Sequence, residues 1–110
     1  MSEMAKLLRF LVQGDKEAKI TQVSASITAT KFTPQLTYAR KGMAVYNNSN
    51  DASGECYYGF TATMSPSGES MPIPKGAVVN IPVSTDIDVY FLSFSGEVGQ
   101  QGDLRVIEIS

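Results

Sequence analysis

Apolar and polar residues alternate in short runs along most of this chain, with turn-forming residues between the runs. In residues 20–30, every second residue from Val23 to Ala29 is apolar, a pattern typical of a strand with one buried and one solvated face. Three similar runs follow, at residues 36–46, 57–63 and 77–83. Segments rich in Gly, Pro, Asn and Ser separate them. The pattern therefore predicts short β-strands joined by loops.

Prolines and one glycine refine this prediction. Pro34 breaks the first run, because proline cannot donate to a β-ladder, and Pro82 places the 77–83 strand at a sheet edge. Gly59, inside the 57–63 strand, indicates a bulge or a close neighbour.

Two later runs are apolar on both faces. In residues 87–94, Val89 and Phe91 lie on one of the two faces. In residues 104–109, Leu104 and Val106 lie on one face in the same way. Such strands need cover on both sides, either within a two-layer β structure or between their own core and a partner chain. For residues 104–109, a bulge is the alternative. We expect Val89 and Phe91 in the core, and the two runs, separated by a glycine-rich loop, to form a hairpin. The candidate subunit contacts are the residues of the opposite faces, Tyr90, Leu92, Phe94, Ile107 and Ile109.

The first 13 residues fit two structures. Their apolar residues fall at helical spacing, with Ser2 as a cap and Gly14 as a stop, but Leu8, Phe10 and Val12 also fit a strand. We favour the strand because the rest of the chain is β-like, and the helix stays open. The run is too short to cross a bilayer and lacks the cleavage site of a signal peptide.

These elements predict one all-β domain over residues 1–110. Seven or eight short strands without a fixed repeat are typical of a compact antiparallel β-sandwich, jelly-roll-like, with a short N-terminal helix as the open alternative. At 110 residues, with 43% hydrophobic and 18% charged residues, the chain can bury a core without disulfides or metal.

Charge and cysteine content exclude some partners. The net charge is −2 and the basic residues are interspersed with acidic ones, so no basic stripe predicts nucleic-acid binding. Cys56 is the single cysteine, which excludes an internal disulfide and fits folding in a reducing compartment.

Candidate chemistry is sparse. The chain has no histidine, the usual general base and metal ligand. Asp86 and Asp88 share one strand face, but a calcium site needs more oxygen ligands and a glycosidase needs carboxylates across a cleft. Cys56 reads as a small buried hydrophobe, because no neighbour in sequence stabilises a thiolate. We therefore predict no catalytic residue, no metal and no cofactor.

Binding is the better-supported kind of function. Tyrosines on a strand supply large, rigid contact area with a polar handle, and loops on a sandwich often carry sites. The equal alternative is that two or three of the tyrosines are core residues or cross-strand pairs. The candidate ligand or partner contacts are Asn47, Asn48, Tyr57 and Tyr58.

Several short motifs lie between residue 40 and the C-terminus: residues 40–49, Tyr58-Gly59, and residues 71–76, 88–91 and 104–109. Together they resemble a small β module of structural proteins of tailed bacteriophages. Residues 1–39 do not join the pattern.

This resemblance implies a non-enzymatic virion structural protein, such as a capsid-decoration, head-fibre or fibre-attachment component. It implies a homo-oligomer, with a trimer as one candidate, that docks on other virion proteins and is made in the host bacterial cytoplasm. The alternative is a tail-fibre module that binds a host-surface glycan or receptor. Neither nucleic acid nor membrane is an expected partner.

Overall fold

The chain forms eight β-strands, as described by a computed structural model over residues 17–49, 55–65, 68–93 and 102–110. No helix occurs in these ranges. In chain order the strands are β1 (Ala18–Ala25), β2 (Thr30–Lys31), β3 (Gly42–Asn47), β4 (Cys56–Gly59), β5 (Met71–Ile73), β6 (Val78–Ile81), β7 (Tyr90–Ser93) and β8 (Gly102–Ile109).

The strands form two four-stranded antiparallel sheets, with the orders β1-β8-β3-β6 and β2-β7-β4-β5. Apart from the β4–β5 pair, each strand is followed by one in the opposite sheet. This is the winding of a jelly roll, and it confirms the predicted fold class. The alternative of an N-terminal helix concerns residues outside the described ranges.

The core lies between the inner faces of the two sheets. Met43, Val45, Leu104 and Val106 contribute from the first sheet. The second sheet contributes a set that includes Cys56, Ile73 and Phe91. Phe91 packs edge-on against Phe32, with ring centroids 6.0 Å apart. Val89 and Phe91 are each 1% exposed, which confirms their predicted place in the core.

The predicted hairpin between the two strands with apolar residues on both faces is wrong. β7 pairs with β2 and β4, whereas β8 pairs with β1 and β3 in the other sheet. Each strand already has neighbours on both edges.

Strand boundaries also differ from the sequence pattern. The predicted 20–30 strand divides, because Ser26 Oγ and Thr28 bond to each other in a tight turn. The predicted 36–46 strand begins only at Gly42. Pro82 follows β6, which is an edge strand as expected.

A buried ion pair ties one end of the sandwich together. Arg40 Nη1 donates to Glu108 Oε2 at 3.2 Å, and the two side chains are 1% and 0% exposed. Three more guanidinium hydrogens reach backbone carbonyls of the β6–β7 loop, with Nε donating to Val83 at 3.1 Å. Nη2 donates to Ser84 at 2.9 Å and Ile87 at 3.2 Å. The arginine therefore holds the β6–β7 loop in place through three of its backbone carbonyls.

Further hydrogen bonds connect this pair to the neighbouring backbone. Glu108 Oε1 accepts the backbone N–H of Gln35 at 2.9 Å, and the Arg40 N–H donates to Thr85 Oγ1 at 2.7 Å. Two loops, residues 32–41 and 82–89, are thus fastened to the end of β8. We call this side of the sandwich the Arg40 end.

Replacing one partner of this pair should be strongly destabilising. Glu108→Gln leaves a buried guanidinium without a counter-charge, and we expect a loss of about 3–5 kcal/mol in the free energy of unfolding, measured by urea denaturation. The double variant Arg40→Met/Glu108→Leu removes the unpaired charge but should not restore wild-type stability, because the loop carbonyls that Arg40 binds lose their donors.

The matched control is the Lys31–Asp88 pair, whose side chains are 53% and 51% exposed. Asp88→Asn should change stability by less than about 1 kcal/mol. A Glu108→Gln loss as small as that of Asp88→Asn would contradict the structural role of the buried pair.

Candidate functional site

Three loops meet at the Arg40 end. The strand registers place Gly42, Ile81, Tyr90, Gly59 and Met71 toward the same end of the sandwich. The connections β2–β3, β4–β5 and β6–β7 therefore all lie there. Four of the exposed large hydrophobic residues belong to these connections or their borders: Tyr38 (55%), Phe60 (48%), Met71 (58%) and Ile87 (44%).

A surface groove of about 370 Å³ opens beside β4 and β5. It is lined by Tyr58, Gly59, Phe60, Glu69, Ser70 and Met71. The Tyr58 and Phe60 rings meet edge to face, with centroids 6.1 Å apart and planes at 73°. Two aromatic rings and a methionine thus provide an apolar wall, and one carboxylate and one hydroxyl lie beside it.

Close backbone packing shapes this groove. A Cβ at Gly59 would clash with the Met64 side chain and lie 2.8 Å from the Glu69 carbonyl oxygen. Only glycine permits that approach, which accounts for the predicted close neighbour. Glu69 itself adopts φ 57°, a left-handed conformation that is uncommon for a non-glycine residue.

The β4–β5 connection is stabilised by local hydrogen bonds. Ser65 and Gly68 exchange backbone bonds of 3.1 and 3.2 Å. Ser70 Oγ donates to the Ser65 carbonyl oxygen at 2.6 Å. These bonds hold Glu69 between them, so the strained residue is kept in place by its neighbours on both sides.

The predicted subunit contacts lie mostly away from solvent. Leu92, Ile107 and Ile109 are 2%, 3% and 4% exposed, and Tyr90 is half-buried. Phe94 lies outside the described residues. A second chain could reach little of the first three side chains in the conformation described, and their part in a subunit contact stays a prediction.

The predicted ligand contacts are divided between core and surface. Asn47 is fully buried, and its amide donates to the Ile73 carbonyl oxygen at 2.8 Å while its carbonyl oxygen accepts the Ser49 N–H at 3.0 Å. Asn48 is exposed and donates to Asp103 Oδ2 at 3.0 Å.

Tyr57 and Tyr58 are both half-buried and point to opposite faces of β4. Of the four predicted contacts, Tyr58 alone lines the groove. The four residues therefore do not form one surface.

Reactive side chains are not brought together in the described residues. No group of three or more His, Cys, Asp and Glu side chains there could hold a metal ion. Asp86 is exposed in the β6–β7 loop, and Asp88 pairs with Lys31 at 3.4 Å. Burial raises the pKa of the Cys56 thiol above its ordinary value, so Cys56 stays protonated near neutral pH, as expected of a small buried hydrophobe.

Asp103 anchors a polar cluster at the opposite end from Arg40. Hydrogen bonds from Arg105 and then Asn48 hold the pKa of its carboxyl below the ordinary value. Gln22 also donates to it, at 3.2 Å. All of these donors bind the same carboxylate. The cluster therefore connects β1 and β8 to the end of β3.

Sequence reasoning missed the groove and the buried ion pair. Phe60 directly follows Gly59, the last paired residue of β4, and Met71 is the first paired residue of β5. Glu108 lies on the same strand face as Leu104 and Val106. The sequence pattern alone therefore places a charged residue on the inner face.

Filling the space at Gly59 should deform the groove. We expect Gly59→Ala to lower the free energy of unfolding by about 1–3 kcal/mol, because the added methyl meets the Glu69 backbone carbonyl as well as the Met64 side chain, and the backbone cannot easily move away. Gly68→Ala is the control, since a Cβ there would meet nothing nearer than Ser65 Oγ at 3.9 Å. Equal stability of the two variants in urea denaturation would contradict the close packing.

Comparisons with known proteins add no relative. No protein-family model, curated protein or solved structure matches the chain. In the ranges that the structure describes, no helix is long and apolar enough to cross a membrane. The site is therefore interpreted from its own geometry.

Proposed function

We propose that this chain is a non-enzymatic structural protein of a tailed-bacteriophage virion, of the capsid-decoration or head-fibre type. It acts by self-association and by docking on other virion proteins. The observation that carries the proposal is the placement of Tyr38, Phe60, Met71 and Ile87 as exposed apolar side chains on loops at one end of the sandwich. Singly scattered apolar residues need no explanation, whereas several on one end favour a contact surface.

The backbone under this surface suits docking. The β6–β7 loop is held by three guanidinium bonds from Arg40, and Glu69 is fixed by bonds on both sides of it. A surface that is already ordered loses little conformational entropy when it binds. Apolar anchors on a rigid support are what a permanent assembly contact requires.

The fold and the resemblance are compatible with this role. Jelly rolls recur in viral capsid proteins and in lectins, although a fold by itself does not specify a function. The resembling motifs span β3 to β8, which includes both strands that border the groove. A virion component works through shape and number of copies and needs no catalytic residue.

A charge placed in the groove should abolish docking. We expect Phe60→Lys to weaken binding to phage particles produced without this gene by at least about tenfold, since an apolar anchor would be replaced by a hydrated cation. Co-sedimentation of purified protein with the particles measures it. Ile27→Lys is the control, because Ile27 is 63% exposed and lies in the β1–β2 turn at the other end. Failure of the wild-type protein to bind the particles would overturn the proposal.

A second candidate is a carbohydrate-binding module of a tail fibre. The groove combines aromatic faces from Tyr58 and Phe60 with the polar groups of Glu69 and Ser70, and sugars bind to such mixtures of stacking surface and hydrogen-bonding groups. This candidate uses the same groove as the docking proposal, so the two occupants exclude each other there.

Titration against host-envelope glycans separates the candidates. A lectin should bind at least one glycan of a broad panel and lose that binding in Phe60→Ala, whose ring can no longer stack. Cys56→Ser, changed in the core rather than the groove, is the control for an indirect effect. Silence across the panel would exclude the lectin candidate and leave the docking proposal intact.

A further inference from the structure

The edge strands of the two sheets are not protected equally. β2 has two residues, β5 contains Pro72, and β6 has four residues and is followed by Pro82. Shortness, proline and charged side chains, lysine above all, are means by which an exposed edge avoids pairing with another chain. β1 runs for eight residues without proline and carries a single charge, Lys19. Within the described residues, its only partner is β8.

The pairing of β1 with β8 determines which backbone N–H and C=O groups of β1 point away from β8. Ser110 N–H donates to the Glu17 carbonyl oxygen, and the ladder pairs Ala18 with Ile109. Odd-numbered residues of β1 therefore direct their backbone groups to β8. The N–H and C=O groups of the even-numbered residues, Ala18, Ile20, Gln22 and Ser24, point to the open edge, and these residues are exposed.

We propose that this edge binds β1 of a second copy of the chain, antiparallel and about a two-fold axis at Thr21. In this register Ala18 lies opposite Ser24 of the second copy, and Ile20 lies opposite Gln22. All the outward backbone groups then pair, giving about eight hydrogen bonds. The side chains keep their faces, because each pair joins residues of the same parity. The two first sheets become one continuous sheet.

A second copy suits this edge electrostatically. Lys19 is the one charged residue of β1, and in this register it lies opposite Val23. The two lysines are four positions apart, about 13 Å along the strands, which exceeds the Debye length of about 8 Å at physiological salt. The small net charge of −2 also keeps repulsion between copies low.

The same register accounts for an exposed isoleucine. Ile20 is 63% exposed on the outer face of the sheet. Because it lies opposite Gln22 of the second copy, the two Ile20 side chains are diagonal neighbours across the axis, within contact distance. Thr21 meets Thr21 on the inner face, a favourable cross-strand pair.

This inference goes beyond the proposed function, because it specifies the self-association surface and holds whether or not the dimer joins a virion. An edge that is complementary to itself closes at two copies, so this contact gives a dimer rather than the trimer suggested by the resemblance. The virion-binding test can fail while the dimer forms. Equally, the protein can bind virions without forming this dimer.

A disulfide placed on the axis tests the register. Non-hydrogen-bonded antiparallel pairs have Cα atoms about 4.5 Å apart, within the range of a disulfide. We expect Thr21→Cys to form a covalent dimer under mild oxidation, seen by non-reducing electrophoresis. Ser24→Cys is the control, since its two copies would be six positions, about 20 Å, apart. Cys56 is buried and does not compete.

Sedimentation equilibrium tests the dimer without added cysteines. Ile20→Lys should raise the dimer dissociation constant by at least about tenfold, because the new lysines would meet diagonally. Ile27→Lys is the control, since Ile27 has the same 63% exposure but lies off the edge. Circular dichroism melting verifies that both variants are folded.

Three results would overturn the inference. One is a wild-type protein that is monomeric at 100 micromolar. Another is a dimer equally sensitive to both lysine variants. The third is slow amide exchange at Ile20 and Gln22 that persists when the protein is diluted to monomer, because the edge would then be covered by the chain itself.

Discussion

The structure depends on how a small sandwich closes its ends. Packed sheets bury their faces, but the loops that cross from one sheet to the other carry backbone groups with no ladder partner. At one end this chain satisfies several of them with a single guanidinium, whose charge is balanced by Glu108 on the inner face of β8. An ion pair in this position is expensive to desolvate and adds little net stability over a well-packed apolar pair. Its value lies in orienting loops that an apolar side chain could not hold.

Part of this fold could be predicted from local pattern. The two-sided apolar runs of β7 and β8 require cover on both faces, and side chains of both faces are buried: Phe91 and Leu92 in β7, Val106 and Ile107 in β8. Proline at 82 identifies an edge, glycine at 59 identifies a close approach, and the lone cysteine is a core residue. Each of these predictions rests on what a residue type forbids, and such exclusions hold in any tertiary context.

The rest depended on distant contacts. Alternation of apolar and polar residues shows which side chains share a strand face, but not which strands pair. In sequence, a glycine-rich connection within a hairpin therefore cannot be distinguished from one that crosses between sheets. Burial of Ile107 and Ile109 on the outward parity of β8 likewise cannot be distinguished in sequence from burial against another subunit. Asn47 was a reasonable surface residue by its neighbours in the chain, yet it is inside because the β5 carbonyl of Ile73 needs a donor. The groove arises from two segments that meet only after β4 and β5 pair.

The edge and the Arg40 end are geometrically independent, and that determines what a dimer could do. Antiparallel pairing of β1 with its copy reverses one sandwich relative to the other, so the two Arg40 ends would point in opposite directions. Such a dimer cannot place both grooves on one flat surface, and it gains no avidity there, because simultaneous engagement requires both sites to face the same partner. It can instead hold one partner at each end. Association through β1 therefore favours a connecting role between two assembly components over a role as a bivalent clamp on one of them.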